Sequence, residues 1–474
     1  MDPLRDIAIA QVERAEQVRG RTATELQLLL HRAMSPDDVH KALLKERPVL
    51  DALRNIALEG PDPHQLREEA CAVGFLECNE RDLAYRRLFP SLDVGVYCAN
   101  HAVGKPSRPA RFALEQFYAQ HAAFGVDAFV EAGWLDLHDD ARLLVGELCG
   151  DPELQRGDVA WFMNLSDGLS ALLSSLRGRL VTTEAHFTTG HYIHQHWAGK
   201  TGGTVVVVPQ DEQECVPTER VVDALTADTT IVSLSQTHWR SGWTHDVTAI
   251  AAAMKQTCPD AVLLLDVYQS AGTIPTPTGL PPRTAILGGG LKQLHAGLGS
   301  GYAWVSHELL EALDADRLGW WAHEEPMAFE SALRIGPGAA KLRTGGPALL
   351  PIVLLGTELK VLASSGHDGS LTDAIRRARQ VTKDLVEHAS EAALARGMTV
   401  RGPTDPARRG AFFAIEVEDG PFVLDGLAAG GVSADFRADH PGSEAGLIRM
   451  SASAAHFAYE LDFAVDLTAR LMGY

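Results

Sequence analysis

Val262-Leu263-Leu264-Leu265-Asp266-Val267-Tyr268-Gln269 is the stretch whose reading decides the fold. Four consecutive apolar residues ending in a carboxylate predict a parallel strand buried on both faces, with a functional group at its carboxyl end. Twenty-six positions further on (292 − 266) comes Gly288-Gly289-Gly290-Leu291-Lys292. Three bare backbone positions before a lone lysine suit a loop that a bound molecule can approach closely. The alternative reading makes Asp266 a turn cap and Lys292 a solvated surface residue.

Other short apolar runs surround this one and alternate with helical patterns. They are Ala160–Met163, Leu180–Thr182, Val205–Val208, Ile231–Leu234, Thr284–Leu287 and Tyr302–Val305. With Val262–Leu265 they make seven runs, and the alternation predicts an α/β fold with a mostly parallel seven-stranded sheet sandwiched by helices. Ligands of such sheets sit at the carboxyl ends of the strands. Three domains are expected. Residues 1–90 form a helical N-terminal extension, 91–345 the large α/β domain and 346–474 a smaller α+β domain. In the extension, Thr22-Ala23-Thr24-Glu25 has capping-box spacing and Ser35-Pro36-Asp37-Asp38 is a second helix start. In the small domain, a helical run over about 350–395 precedes Phe412–Val417, Ile448–Ser451 and a terminal helix.

Composition narrows the class. The chain has 474 residues, 46% of them apolar, enough for a large core. A formal net charge of −20 argues against nucleic acid or an anionic membrane as the main partner. No run reaches the ~20 apolar residues of a membrane span. Asp2 and the charges that follow it leave no apolar signal core at the start. Cys71, Cys78, Cys98, Cys149, Cys215 and Cys258 show no C-x-x-C spacing, which suits reduced thiols and a cytoplasmic setting.

Several candidates for site chemistry fall near predicted strand ends. Ser166-Asp167-Gly168 opens a helical stretch after the first run, where backbone N–H groups suit a phosphate. An ordinary helix cap is the alternative. Phe187 follows the second run and could stack on a flat ring or simply pack in the core. His191, His194 and His196 have mixed spacing, with no matching acid or cysteine cluster, and predict a polar helix face rather than a metal site. Arg449 lies in a late strand and is either a carboxylate clamp or one half of a structural ion pair. An acid at a strand tip and a lone lysine are the pair that pyridoxal 5'-phosphate (PLP) requires: the lysine for a Schiff base, the acid to keep the pyridine nitrogen protonated.

Taken together, this set resembles the fold-type I PLP enzymes of the class V aminotransferase superfamily, and kynureninase in particular. The likeness runs from Tyr97 to about Tyr474. Asn100-His101-Ala102-Val103-Gly104 resembles the family's Asn-Ser-Leu-Gly, Gly319-Trp320-Trp321-Ala322-His323-Glu324 its Gly-Trp-Phe/Trp-Gly-His-Glu, and Ser235 to Gly242, around His238, also matches. The resemblance implies Lys292 as the Schiff-base lysine and Asp266 as the pyridinium partner. It implies Ser166, Asp167 and Gly168 at the phosphate, Phe187 on the ring, and Gln269 near the ring's other face or phenolic oxygen. His238 joins the cofactor set. Trp320 and the loop Arg343–Pro347, with Gly346, would come from or near the second subunit of a homodimer. Arg449, Asn100 and His101 would meet the substrate.

Three departures bear on the substrate. Leu291 stands where kynureninases carry a tyrosine that reaches the phosphate. Gly345-Gly346 stands for Ser-Asn, and Phe124-Gly125-Val126 for Tyr-Gly-His. The lost Asn and His are polar groups that would recognise an aryl ketone, so a substrate other than kynurenine is expected. Cysteine desulfurases share the Asp-x-x-Gln pattern but need a cysteine beyond the lysine, and none follows Cys258. The expected activity is PLP-dependent cleavage or elimination of an amino-acid side chain. Transamination is the alternative, and a PLP-free scaffold that docks partners through residues 1–90 is the competing class.

Overall fold

The computed structural model describes residues 80–474 apart from Ala315. The two helix starts expected before residue 60 lie outside the described residues. The first described helix, Glu80–Arg86, falls within the expected extension.

All seven apolar runs are strands. Strand β1 (Val96–Tyr97) precedes them; they are β2 (Gly157–Phe162), β3 (Arg179–Thr183), β4 (Thr204–Val208), β5 (Thr229–Ser235), β6 (Val262–Asp266), β7 (Thr284–Gly289) and β8 (Gly301–Ser306). Their order in the sheet is β2-β8-β7-β6-β5-β3-β4. Neighbours from β7 through β4 pair in parallel, while β8 runs antiparallel to both β2 and β7. The chain thus adopts the expected α/β architecture with a mostly parallel sheet.

β6 is the middle strand, and every residue in it is buried. Successive side chains point to opposite faces. Leu263 and Leu265 pack with Val232, Leu234 and Ile286 in one core. Val262 and Leu264 pack with Ile231, Ala285 and Leu287 in another, against Leu169, Leu172 and Trp197 from two helices. Burial of a leucine side chain contributes about 1.5–3 kcal/mol, so a run apolar at every position is what a strand covered on both sides requires. By the same alternation Asp266 falls on the face of Val262 and Leu264.

The remaining strands are β9 (Val400–Arg401), β10 (Phe412–Val417), β11 (Val432–Ser433), β12 (Asp435–Ala438) and β13 (Gly446–Ser451). They include a four-stranded antiparallel sheet, β12-β13-β10-β9. Phe413, Ile415, Ile448 and Met450 share a core with residues of the helices Leu371–Ala395, Gly420–Ala429 and Ala458–Met472. Phe412 and Arg449, on the alternate positions, belong to the other face. β1 pairs in parallel with β11, and Cys98 lies in the same core as Met450. The segment after β1 is therefore tied to the antiparallel sheet, and Asn100 and His101 are held there. Among the described residues no helix is long and apolar enough to cross a membrane.

Candidate active site

Asp266 ends the central strand and is 5% exposed. One carboxylate oxygen accepts the Tyr268 N–H at 2.8 Å and the other the Ser235 hydroxyl at 3.2 Å. Burial pushes its carboxyl up from the usual range, and the Lys292 charge pulls it down. Lys292 follows β7, and its amine lies 5.2 Å from the Tyr268 ring centroid and 5.6 Å from that of Phe187. Burial lowers the lysine, opposed first by Asp266. Each group's charge thus shifts the other's proton affinity, and a neutral amine is the form that attacks carbonyl carbon.

The glycines before the lysine each have a packing reason. A Cβ at Gly288 would collide with the Tyr302 hydroxyl, and one at Gly289 with the Tyr268 ring. At Gly290 it would meet Ala296 and Ser300 at 2.6 Å. Ser300 also receives the Gly290 N–H on its hydroxyl at 3.1 Å, which closes the loop that carries Lys292.

Ser166, Asp167 and Gly168 form the first turn of the helix Leu165–Ser174, directly after β2. Asn164 caps it, accepting the Asp167 N–H at 3.0 Å. Arg317 pairs with Asp167 at 3.1 Å and offsets an acid that would otherwise repel a phosphate. Gly168 is buried, and a Cβ there would press on the Phe162 ring at 3.0 Å. The turn reaches the lysine loop through Gly301, whose Cβ would meet the Asn164 backbone at 2.8 Å.

Phe187 is the N-cap of the helix Thr188–Thr201 and is 41% exposed although His186 beside it is 1% exposed. Its ring meets Trp239 edge-on at 5.5 Å. His238, expected among the cofactor residues, makes its hydrogen bonds elsewhere: its Nδ1 lies 2.9 Å from the Ser241 hydroxyl and 3.2 Å from the Glu214 carbonyl. The residue of that turn that meets Phe187 and Arg449 is Trp239. Sequence reasoning passed over it, although a tryptophan beside the matched histidine was a usable signal. His194 is buried 3.0 Å from the Ser233 hydroxyl. Among the described residues no group of three or more His, Cys, Asp or Glu could hold a metal ion.

Gln269 donates to the His101 carbonyl at 3.1 Å. Its own side-chain oxygen, both polar atoms of Asn100 and the His101 Nδ1 are buried without a hydrogen-bond partner. Each such atom costs about 1–3 kcal/mol unless something satisfies it. Arg449 is 2% exposed and anchored within the chain. Its Nε donates to Asp435 at 2.8 Å, Nη2 to the other Asp435 oxygen, and Nη1 to the Trp239 carbonyl. Trp320 stacks on Phe329 at 5.6 Å, and Gly346 lies beside it, on an exposed apolar face that also carries Met327.

A family profile described as Aminotransferase class-V matches residues 113–419, more than half of the chain, and the chain belongs to that family. A kynureninase from Burkholderia pseudomallei (strain 1106a) is 26% identical over 388 residues, 78% of this chain and 88% of that one. A kynureninase from Pseudomonas fluorescens is 26% identical over 317 residues, covering 65% and 73%. Among solved structures, a cysteine desulfurase from Thermococcus onnurineus NA1 superposes with a TM-score of 0.72 at 14% identity, over 84% of this chain and 99% of that one. The cystine C-S lyase C-DES, in complex with its reaction product cysteine persulfide, gives 0.69 at 17% identity, over 81% and 99%. These structures share the fold.

As a member of this family the protein is a PLP-dependent enzyme. Its residues fit the cofactor: an amine between two aromatic rings, a buried carboxylate with two donors, a half-exposed phenyl group, and four polar atoms left to satisfy.

Proposed function

We propose that the enzyme cleaves or eliminates the side chain of an amino acid other than kynurenine, and that it does so as a homodimer with the site at the subunit interface. The observation that supports the PLP chemistry is the Lys292 amine, set beside the Tyr268 and Phe187 rings, with the Asp266 charge favouring its protonated form. The kynureninase relatives support the choice of side-chain cleavage.

When bound, PLP supplies an electron sink for the pair released at the substrate's Cα. Lys292 would hold the cofactor through its aldehyde carbon, and its amine, when free, would move protons as general acid and base. Asp266 would keep the pyridine nitrogen protonated. The Ser166-Asp167-Gly168 turn would hold the phosphate, with Arg317 balancing Asp167. Phe187 would cover one ring face, and Gln269 would serve the other face or the phenolic oxygen. Arg449 would take the substrate carboxylate. Trp320 and the loop around Gly346 would serve the partner subunit's site.

The substitutions at Phe124-Gly125-Val126 and Gly345-Gly346 argue against an aryl ketone substrate. A desulfurase-type enzyme persulfide is not favoured: among the described residues Cys98, Cys149, Cys215 and Cys258 are all buried, and no cysteine follows Lys292. Transamination is the second reading, because the family's name is that of transaminases.

The deciding experiment incubates the PLP-loaded enzyme with a panel of amino acids, with and without a 2-oxo acid, and follows coenzyme absorbance and released products. Side-chain fragments formed without a 2-oxo acid support the lyase reading. Products that require it stoichiometrically overturn that reading in favour of transamination.

A further inference from the structure

His101 lies in the turn after β1, in the motif Asn100-His101-Ala102-Val103-Gly104. It is fully buried and stacks on Phe412 at 5.0 Å. Its Nε2 lies 2.9 Å from Asp435 Oδ1, the same oxygen that accepts from Arg449 Nε. Asp435 and Arg449 are directly opposite each other on β12 and β13. Arg437 adds a contact to Asp435 Oδ2 at 2.8 Å. The Asp435 carboxylate is thus gripped by one imidazole and two guanidinium groups. Burial raises its carboxyl, but the hydrogen bonds and charges of His101 and Arg449 outweigh that and hold it well below the usual range.

Burial lowers His101 to about 4, so the ring is neutral near neutral pH. A neutral ring beside an ionised carboxylate carries its hydrogen on Nε2 and leaves Nδ1 bare. Of the five N–H groups on Arg449, two go to Asp435 and one to the Trp239 carbonyl. Two remain, one on each terminal nitrogen, the number a carboxylate takes. Two arginines and one aspartate also leave a net charge of +1, matched to one carboxylate. A serine at position 101 has a single atom beyond Cβ and could not span the length of the imidazole to Asp435.

We infer that His101 and Asp435 are positioning residues that hold the Arg449 guanidinium with its free edge toward the substrate carboxylate, His101 acting through Asp435. This rests on the reading of Arg449 as the carboxylate clamp. It also makes specificity for an intact α-carboxylate the property that His101 serves.

The test titrates PLP-loaded enzyme with L-alanine and with L-alaninamide, which keeps the amine and lacks the carboxylate, reading coenzyme absorbance. The wild type should prefer alanine, and Arg449→Leu should abolish the preference. Asp435→Asn and His101→Leu should each lower alanine affinity about ten-fold, the value of one hydrogen bond to a charged group, with alaninamide affinity unmoved. His101→Gln, which restores an N–H toward Asp435, should recover most of the preference. Loss of folding would weaken both probes together, and the Gln variant separates that case. If the wild type shows no preference for alanine, Arg449 is not the clamp and the underlying reading falls. If Arg449→Leu abolishes the preference but Asp435→Asn or His101→Leu leaves or raises it, the clamp stands and the positioning role is overturned.

Discussion

The Gly104 N–H donates to the Leu291 carbonyl at 2.8 Å, so the turn that begins at Asn100 is fastened to the backbone of the lysine loop. A Cβ on Gly104 would run into the Lys292 carbonyl and lie 2.8 Å from the His295 ring. The backbone there cannot give way without moving Lys292. Gly104→Ala should therefore weaken PLP retention, and overpacking should cost about 1–3 kcal/mol of stability. Equilibrium dialysis of the cofactor and a denaturant melt check the two effects. An unchanged dissociation constant would show that the contact does not set the lysine's position.

Lys292 and Asp266 are expected to fail in different ways. Lys292→Ala should fold, bind PLP without a covalent link and give no cofactor-labelled peptide after borohydride. Asp266→Asn removes the charge that favours the lysine's protonated form, so the Lys292 amine should titrate lower still. Labelling by borohydride should survive, while turnover falls roughly 10²–10⁴-fold, the usual scale for a lost proton-handling group. Peptide mass spectrometry and a turnover assay distinguish the two. Labelling that persists in Lys292→Ala would move the role to another amine.

The strands, and Asp266 at the tip of β6, were legible because such signals are local: a run of apolar residues, and a charge where the run stops. Trp239 and Asp435 were not. The turn after β5 shows a histidine and a tryptophan side by side, and only the backbone's path decides that His238 meets Ser241 while Trp239 meets Phe187. Asp435 reaches Arg449 through strand register, which needs two short strands aligned. The packing role of Gly288 and Gly289 is hidden in the sequence for a related reason. The rings that require them, Tyr302 and Tyr268, stand on a neighbouring strand and a neighbouring loop.

Buried histidines set the acid limit of stability. His194 and His238 are lowered to about 3 and His245 to about 4, in each case first by burial, and His186 is lowered well below its ordinary value. The unfolded chain takes up protons below about 6.5, while the folded state does not until about 3–4. Their stabilisation is thus fully present above pH 6.5 and is lost as pH falls through that window. At pH 5 each should cost about 1–2 kcal/mol relative to pH 7.5. Urea unfolding at the two pH values tests this, and His194→Gln should flatten the slope. Equal stability at pH 5 and 7.5 would mean these rings are already charged or already wet.

Glu358 works in the opposite direction. It is 3% exposed, accepts the Ser107 N–H at 2.7 Å on one oxygen, and leaves the other without a hydrogen-bond partner. Burial raises its carboxyl from 4.5 to about 8, so the folded protein keeps a proton that the unfolded chain has lost. That contribution is complete below pH 4.5 and is lost as pH rises to about 8. A glutamine has the same shape, keeps the acceptor for Ser107 and carries no charge. Glu358→Gln should therefore match the wild type near pH 5 and exceed it at pH 8.5 by on the order of 2–4 kcal/mol. Denaturant midpoints at the two pH values measure the difference. A variant less stable than the wild type at pH 8.5 would show that the carboxylate is ionised in the fold and paired there.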